Sequence, residues 1–138
     1  MSLLSFPDIN VWLALATPEH ALAPNARRWW ELEGGNIAFC RFSQMGLLRL
    51  VTTAAAMDSR PLTMAEAWKL YDRFFVDDRV LFVPEERNTE SIFRKKTTGQ
   101  AASPKLWADA WLLATADAAG GRLITFDKAL ASRGATCL

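Results

Sequence analysis

The chain has 138 residues, of which 51% are hydrophobic and 22% are charged. This length and composition are typical of one globular domain, and they exclude a disordered chain, a collagen-like chain and a coiled coil. The 16 Lys and Arg residues balance 15 Asp and Glu residues, which leaves a net charge of +1. Because the domain has no overall basic excess, any nucleic-acid partner must be bound by a local basic patch.

Cysteine and histidine are too few for several kinds of site. Cys40 and Cys137 lie far apart in the sequence, and His20 is the only histidine. A disulfide framework, a zinc site and a Ser-His-Asp triad are therefore not expected. No apolar stretch reaches the roughly 18 residues of a membrane span, and the start of the chain does not resemble a secretory leader. We expect a cytoplasmic protein with no membrane partner.

Short apolar runs alternate with helical patterns along the chain. In chain order the predicted elements are a strand at 3–6, helices at 9–16 and about 22–33, a strand at 36–40, helices at 43–53 and from 63, a strand at 80–83, helices at 89–97 and 103–119, and a strand at 122–126. The pattern also permits a short last strand at 135–138. With no hairpin signal, these elements predict an α/β fold. We expect one domain, residues 1–138, with a mainly parallel sheet of four or five strands flanked by helices.

Several of the predicted helices have clear end signals. Thr63 and Glu66 have the spacing of a capping box, in which each side chain bonds the other residue's backbone amide. Ser103 followed by Pro104 predicts a helix start, because the hydroxyl can cap and proline has no amide to satisfy at the first position. The pair Gly120-Gly121 predicts where that helix stops.

Two aspartates follow predicted strands directly. Asp8 comes after the first strand and Asp127 after the fourth. Ligands of open α/β sheets bind at the carboxyl ends of the strands, so both side chains are candidates for a site there. A strand-end aspartate has a local explanation too, since it can cap the helix that follows.

Asp109 lies on a helix among apolar neighbours. Leu106, Leu112 and Leu113 are three or four residues away, so the carboxylate shares the face that should pack on the sheet. A buried carboxylate needs a partner, for which Lys105 and Lys128 are structural alternatives.

A cluster of this aspartate with Asp8 and Asp127 explains its placement more economically. Three carboxylates in one place would need a cation, and oxygen ligands suit Mg²⁺ or Mn²⁺. The chain lacks a phosphate-binding glycine loop and a nucleophile elbow. Hydrolysis of a phosphodiester by metal-activated water fits such a site.

The order of the motifs resembles that of PIN-domain ribonucleases, and in particular the VapC toxins of toxin–antitoxin pairs. Pro7-Asp8-Ile9-Asn10 resembles the family's D-x-N opening, and Gly121 to Asp127 is similar to its G-x-L-(I/V)-T-x-D strand. Between them lie three further similar segments: Ser43 to Thr52, ending in L-R-x-x-T; Leu62 to Ala67, with L-T-x-x-E-A; and Trp107-Ala108-Asp109-Ala110 with the helix after it. The resemblance covers nearly the whole chain.

The resemblance implies a metal-dependent endoribonuclease toxin that cuts tRNA or another structured RNA. It implies that Asp8, Asp109 and Asp127 are the catalytic, metal-holding residues, with Asn10 and Thr125 supporting them by hydrogen bonds. It further implies a homodimer and a small antitoxin that neutralises the enzyme by entering the acidic groove. Basic side chains would position the RNA backbone, the candidates being Arg41, Arg94, Lys95, Lys96, Lys105 and Lys128.

One position departs from the family pattern. Many members carry a Glu on the third helix, three residues before the Arg of L-R, where this chain has Gly46. With neutral Ser43 and Gln44 nearby, the site has one carboxylate fewer unless Glu66 or Asp117 compensates. The main alternative is therefore a non-catalytic PIN-like module that binds RNA or a protein. A receiver domain expects paired acids near the first strand, and an aspartate-based phosphatase expects a second Asp two residues after Asp8. Neither fits this chain.

Overall fold

A computed structural model describes residues 3–138, and a sheet of five short strands forms its centre. The strands lie in the order β3-β2-β1-β4-β5, and every neighbouring pair is parallel. The predicted α/β class and the permitted last strand are both confirmed. The strands are β1 (Leu4–Pro7), β2 (Asn36–Phe39), β3 (Val80–Phe82), β4 (Arg122–Thr125) and β5 (Thr136–Cys137).

Seven helices connect the strands within residues 3–138. None of them, over that part of the chain, has the length and apolar character needed to cross a membrane. The helices are α1 (Ile9–Ala16), α2 (Ala23–Leu32), α3 (Arg41–Val51), α4 (Met64–Phe74), α5 (Thr89–Thr98), α6 (Leu106–Ala118) and α7 (Lys128–Ala131).

Two of the predicted helix ends are confirmed. Thr63 Oγ1 accepts a hydrogen bond from the Glu66 amide at 3.1 Å, and Glu66 Oε1 accepts one from the Thr63 amide at 2.9 Å, which completes the capping box of α4. After α6, Gly120 adopts a φ of +71° and the Gly121 amide donates to the carbonyl of Ala116 at 2.8 Å. Glycine is favoured there because other residues rarely adopt this backbone conformation.

The predicted start of α6, with Pro104 as the first helical residue, is two residues too early. Ser103 and Pro104 form a turn in which the Ser103 carbonyl accepts from the Leu106 amide at 3.1 Å, and the helix begins at Leu106. The Ser103 hydroxyl therefore lies too early to cap α6. The sequence patterns also did not reveal α7, because its four residues are too few for a helical period.

The core has two layers, one on each face of the sheet. Successive side chains of a strand point to opposite faces, and in β2 Ile37 and Phe39 pack on one face while Ala38 packs on the other. The first layer joins α1, α3 and α4 around Trp12, which stacks on Phe39 with 3.7 Å between ring centroids. The second layer joins α6 and α7 to the opposite face, through residues such as Leu112.

The strand order places a topological switch between β1 and β4. From β1 the chain adds β2 and then β3 in one direction, and then returns to add β4 and β5 on the other side of β1. Connections leaving β1 and β4 therefore diverge and leave a crevice at their carboxyl ends. Ligands of open α/β sheets bind at such crevices.

Candidate active site

Asp8 lies at this crevice, between the end of β1 and the start of α1. Its Oδ1 accepts a hydrogen bond from the Ile9 amide at 2.7 Å, so it caps α1 as the local explanation predicts. Its Oδ2 accepts a second hydrogen bond, from the Thr125 hydroxyl of β4 at 3.1 Å. The carboxylate is therefore held by two neighbouring strands and keeps lone pairs for a ligand.

Asp127 occupies the equivalent position after β4. Its Oδ1 accepts from the amides of Ala129 at 2.9 Å and Leu130 at 3.4 Å, which caps α7. The Asp127 amide donates to the Thr125 hydroxyl at 3.0 Å, so one threonine contacts both aspartates. Lys105 Nζ lies 3.7 Å from Asp127 Oδ2 and places a positive charge at the site.

Asp109 approaches the same edge of the sheet from α6. It is half-buried, and its neighbours Leu106, Leu112 and Leu113 are 7%, 3% and 5% exposed. The predicted placement of a carboxylate on the packed face of this helix is confirmed.

The pKa values of Asp8 and Asp109 are raised by burial and by the charges of neighbouring aspartates. Burial raises the pKa of Asp8, and the charges of Asp109 and Asp127 raise it further, against hydrogen bonds from Ile9 and Thr125. Burial likewise raises the pKa of Asp109, and Asp127 adds to that effect while Lys105 opposes it. The pKa of Asp127 is lowered by the amides of Ala129 and Leu130 and by Lys105. Like charges are thus concentrated where two carboxyls are partly desolvated, which favours binding of a cation.

The carboxylates do not form a closed metal cage. Among residues 3–138, no three His, Cys, Asp or Glu side chains lie close enough together to hold one metal ion directly. Mg²⁺ does not require such a cage, because it usually keeps several waters and binds through one or two carboxylates. An oxygen-only set in which two carboxyls are partly desolvated and repel each other fits a hydrated Mg²⁺ or Mn²⁺. The residues that would hold it, directly or through water, are Asp8 and Asp109, with Asp127 completing the charge.

The glycine that departs from the family pattern has a packing role. A Cβ atom on Gly46 would lie 2.3 Å from Cδ1 and 2.7 Å from Cγ1 of Ile9, the residue after Asp8. The Ile9 side chain therefore takes the space that a side chain at position 46 would need. Ser43 and Gln44 are buried in local hydrogen bonds, to the Cys40 amide and to Arg41 respectively.

Other candidate residues have different partners from those the resemblance suggests. Asn10 is exposed, and its side chain makes no hydrogen bond within residues 3–138. Asp117 pairs with Lys96 at 2.9 Å, and Glu66 is engaged in the α4 cap, so neither joins the carboxylate cluster. Arg41 lies 4.6 Å from the ring centroid of Phe82.

Sequence reasoning missed Arg133. This residue follows α7, and its charge lowers the pKa of Asp109. No sequence signal distinguishes it, since it is an isolated arginine in a segment with no predicted element before the last strand.

A family model and curated relatives match nearly the whole chain. The PIN domain model matches residues 5–135. Ribonuclease VapC41 of Mycobacterium tuberculosis is 39% identical over 133 residues, which span 92% of this chain and 91% of that protein. Ribonuclease VapC44 of the same species is 33% identical over 128 residues, which span 90% of this chain and 86% of that protein.

Solved structures share the fold at low sequence identity. The crystal structure of Mycobacterium tuberculosis VapC20, a sarcin-ricin loop cleaving toxin, superposes with a TM-score of 0.67 at 14% identity and covers 97% of this chain and 98% of that one. VapBC2 from Rickettsia felis, bound to a DNA fragment from its promoter, gives a TM-score of 0.66 at 12% identity and covers 99% of this chain and 97% of that one.

Proposed function

Because the chain belongs to the PIN domain family, as a VapC-type endoribonuclease of a toxin–antitoxin system, we propose that Asp8, Asp109 and Asp127 form an active site that hydrolyses RNA phosphodiester bonds with a bound Mg²⁺ or Mn²⁺. One observation carries the proposal. Asp8, Asp109 and Asp127 come from three separate elements to the switch between β1 and β4, where the charges of Asp109 and Asp127 both raise the pKa of Asp8.

Each residue of the proposed site has a distinct task. Asp8 and Asp109 bind the cation, and Asp127 completes the negative charge. When bound, the cation lowers the pKa of a water molecule and neutralises charge that develops on the scissile phosphate. Thr125 holds Asp8 in place through its hydroxyl. Lys105 keeps a positive charge beside Asp127, where it can contact RNA.

The substrate we propose is tRNA or another structured RNA. Phosphate contacts position an RNA without reading its sequence, and contacts to bases set specificity. Lys105 Nζ lies 3.7 Å from Asp127 Oδ2, and Lys128 follows Asp127 in sequence. Both lysines are exposed, so both are available for phosphates.

We propose that a cognate antitoxin covers the site and that the enzyme acts as a homodimer in the cytoplasm. Several large apolar side chains of α3 and α4 are exposed, among them Met45 at 61%, Met64 at 75% and Trp68 at 49%. Exposed apolar surface of this kind is typical of protein-binding faces. The Rickettsia felis relative was crystallised as a VapBC complex.

The experiment is cleavage of a total small-RNA pool by antitoxin-free protein, with Mg²⁺, with Mn²⁺ and with EDTA. We expect discrete cuts that need the metal and that are lost in Asp8→Asn and in Asp109→Asn. The matched control is Asp78→Asn, which neutralises an exposed aspartate outside the site and should cut like the wild type. In parallel, Mg²⁺ should raise the melting temperature of the wild type and of the control but not of the two site variants, because a ligand stabilises only the fold that binds it.

Two results would contradict the proposal. Cleavage that survives both site variants would place the active site elsewhere. A folded wild type that never cuts RNA would favour the alternative, a PIN-like module that binds RNA or a protein without catalysis.

A further inference from the structure

A basic cleft lies between α5, α6 and the segment after α7. Lys95, Lys96 and Arg133 line this cleft, which has a volume of about 280 Å³. Gln100 is the remaining polar side chain of its lining, and none of the lining residues is acidic. We refer to this feature as the basic cleft.

The basic cleft adjoins the acidic cluster. Its apolar floor is formed by three residues of α6, Leu106, Ala110 and Leu113. Asp109 directly precedes Ala110 and lies three residues after Leu106 and four before Leu113, so it shares their side of the helix. Arg133 lies close enough to lower the pKa of Asp109. An RNA strand at the aspartates therefore passes next to the cleft.

Two cations of the basic cleft form no salt bridge in the described part of the chain. Lys96 forms an ion pair with Asp117, with 2.9 Å between Nζ and Oδ2, whereas Lys95 and Arg133 form none within residues 3–138. By contrast, the neighbouring Arg94 pairs with Glu90 at 3.0 Å. Lys95 and Arg133 are therefore two positive charges on one cleft that no ion pair neutralises, and an anion between them would reduce their mutual repulsion.

We propose that the basic cleft binds a backbone phosphate of the RNA substrate, adjacent to the scissile phosphate, with Arg133 and Lys95 as the contacts. This inference rests on the proposed function, because it takes the scissile phosphate to lie at the aspartates. A guanidinium can bind two phosphate oxygens at once, and an ammonium adds a compact charge. The Lys96–Asp117 pair holds the wall of the cleft between α5 and α6.

The chemistry of the cleft favours phosphate over a base. Its three charged side chains are all cationic, and a phosphate carries a full negative charge whereas a base is neutral. We therefore expect the cleft to strengthen binding of every RNA sequence to a similar extent.

The test uses Lys95→Gln, Arg133→Gln and the double variant, each checked for folding by circular dichroism. The matched control is Arg27→Gln, which removes the same charge from an exposed arginine of α2. Affinity for a mixed-sequence single-stranded RNA is measured in EDTA over a range of salt concentrations, which separates binding from cleavage. Because both side chains are proposed to contact one phosphate, the double variant should reduce the slope of log K against log salt by about 0.7.

Cleavage by the same variants supplies the second measurement. In Mg²⁺ we expect the KM of the double variant to rise about tenfold or more while kcat stays within about twofold, since a phosphate contact away from the reacting bond contributes equally to substrate and transition state. The control should keep the wild-type slope and the wild-type KM.

The outcomes distinguish this inference from the proposed function. A double variant with the wild-type slope and KM overturns the inference, even if the wild type cuts RNA and the aspartates are confirmed. Salt-dependent RNA binding that weakens in the double variant supports the cleft, even if the wild type never cuts. A wild type that does not bind RNA also overturns the inference. Binding of a polyglutamate peptide is measured alongside RNA binding. A double variant that loses affinity for the peptide but not for RNA overturns the inference too, because the cleft would then bind an acidic protein segment.

Discussion

At the scale of single residues, Thr125 organises the candidate site. Its side chain is fully buried at the end of β4, where its hydroxyl donates to Asp8 and accepts from the Asp127 amide. A single hydroxyl thus sets the relative positions of two aspartates that are 119 residues apart in sequence. We regard it as a positioning residue for the active site, because it acts through the carboxylates.

We expect Thr125→Val to lower activity about 10- to 100-fold, the range typical of residues that hold metal ligands. Valine has a similar shape but leaves Asp8 with one hydrogen bond fewer, so the pKa of Asp8 should rise further. Because the proposed cation would bind the ionised carboxylate, the acidic limb of the cleavage rate should move to higher pH. The measurement is the cleavage rate against pH at fixed Mg²⁺. Thr125→Ser keeps the hydroxyl and serves as the control, and an equal loss in both variants would contradict the role of the hydrogen bond.

At the scale of elements, Gly46 sets how closely α1 and α3 approach. The two helices pack against each other on one face of the sheet, and Ile9 fills the space above the glycine. The carboxylate that many family members carry at this position therefore has no room here while Ile9 keeps its place. The glycine at position 46 therefore affects how α1 and α3 pack as well as how many carboxylates the site has.

A double-mutant cycle tests this packing. Gly46→Ala alone should destabilise the fold by about 1–3 kcal/mol, because the new methyl group overlaps Ile9. In an Ile9→Ala background the overlap disappears, and the same change should stabilise the fold by about 0.5–1 kcal/mol through the better helix propensity of alanine. Urea denaturation of the four proteins gives the coupling between the two positions. Equal effects of Gly46→Ala in both backgrounds would show that Ile9 does not restrict position 46.

At the scale of the whole molecule, an ionic network around the buried Glu33 joins distant segments at the amino ends of the strands, opposite the candidate site. The Glu33 side chain is 4% exposed, accepts a hydrogen bond from Ser5 of β1, and lies 3.0 Å from Nη2 of Arg122 of β4. Arg79, just before β3, donates to the backbone carbonyl of Glu33 at 2.6 Å. These contacts join the end of α2 to β1, to β4 and to the residue just before β3, away from the candidate site.

This network predicts a pH-dependent contribution to stability. Burial acts to raise the pKa of Glu33, but hydrogen bonds from Ser5, Arg122 and Gly35 outweigh it and lower the pKa below the ordinary value of 4.5. The contribution is therefore present above that ordinary value and is lost as the pH falls through the lowered folded pKa. Near neutral pH, Glu33→Gln should cost about 1–3 kcal/mol of unfolding free energy.

The measurement is the difference in unfolding free energy between the wild type and Glu33→Gln at several pH values. We expect the difference to shrink as the pH falls below the ordinary carboxyl pKa, because protonated Glu33 resembles glutamine in charge. Glu31→Gln, at an exposed position of α2, is the control and should show little effect at any pH. A difference that stays constant with pH would show that the charge of Glu33 contributes nothing.

Much of the fold is predictable because its signals are local. The period of apolar residues, the capping box at Thr63 and the glycine stop at Gly120 each involve a few neighbouring residues, and each forms as predicted. Local signals also fail locally. Serine often caps a helix, but Ser103 lies in a turn ahead of α6. Helix α7 has only four residues, too few for apolar positions to recur at helical spacing.

The sequence by itself determined that Asp8 and Asp127 follow strands and that Asp109 lies on an apolar helix face, because those positions depend only on neighbouring residues. Tertiary structure alone decided that β4 returns to the side of β1, which brings the three aspartates to one crevice. It likewise decided that Arg133 approaches Asp109 and that Glu33 meets Arg122, 89 residues away. These contacts depend on how whole layers of helices and strands pack their apolar surfaces together. That packing is determined by residues throughout the chain and not by local sequence.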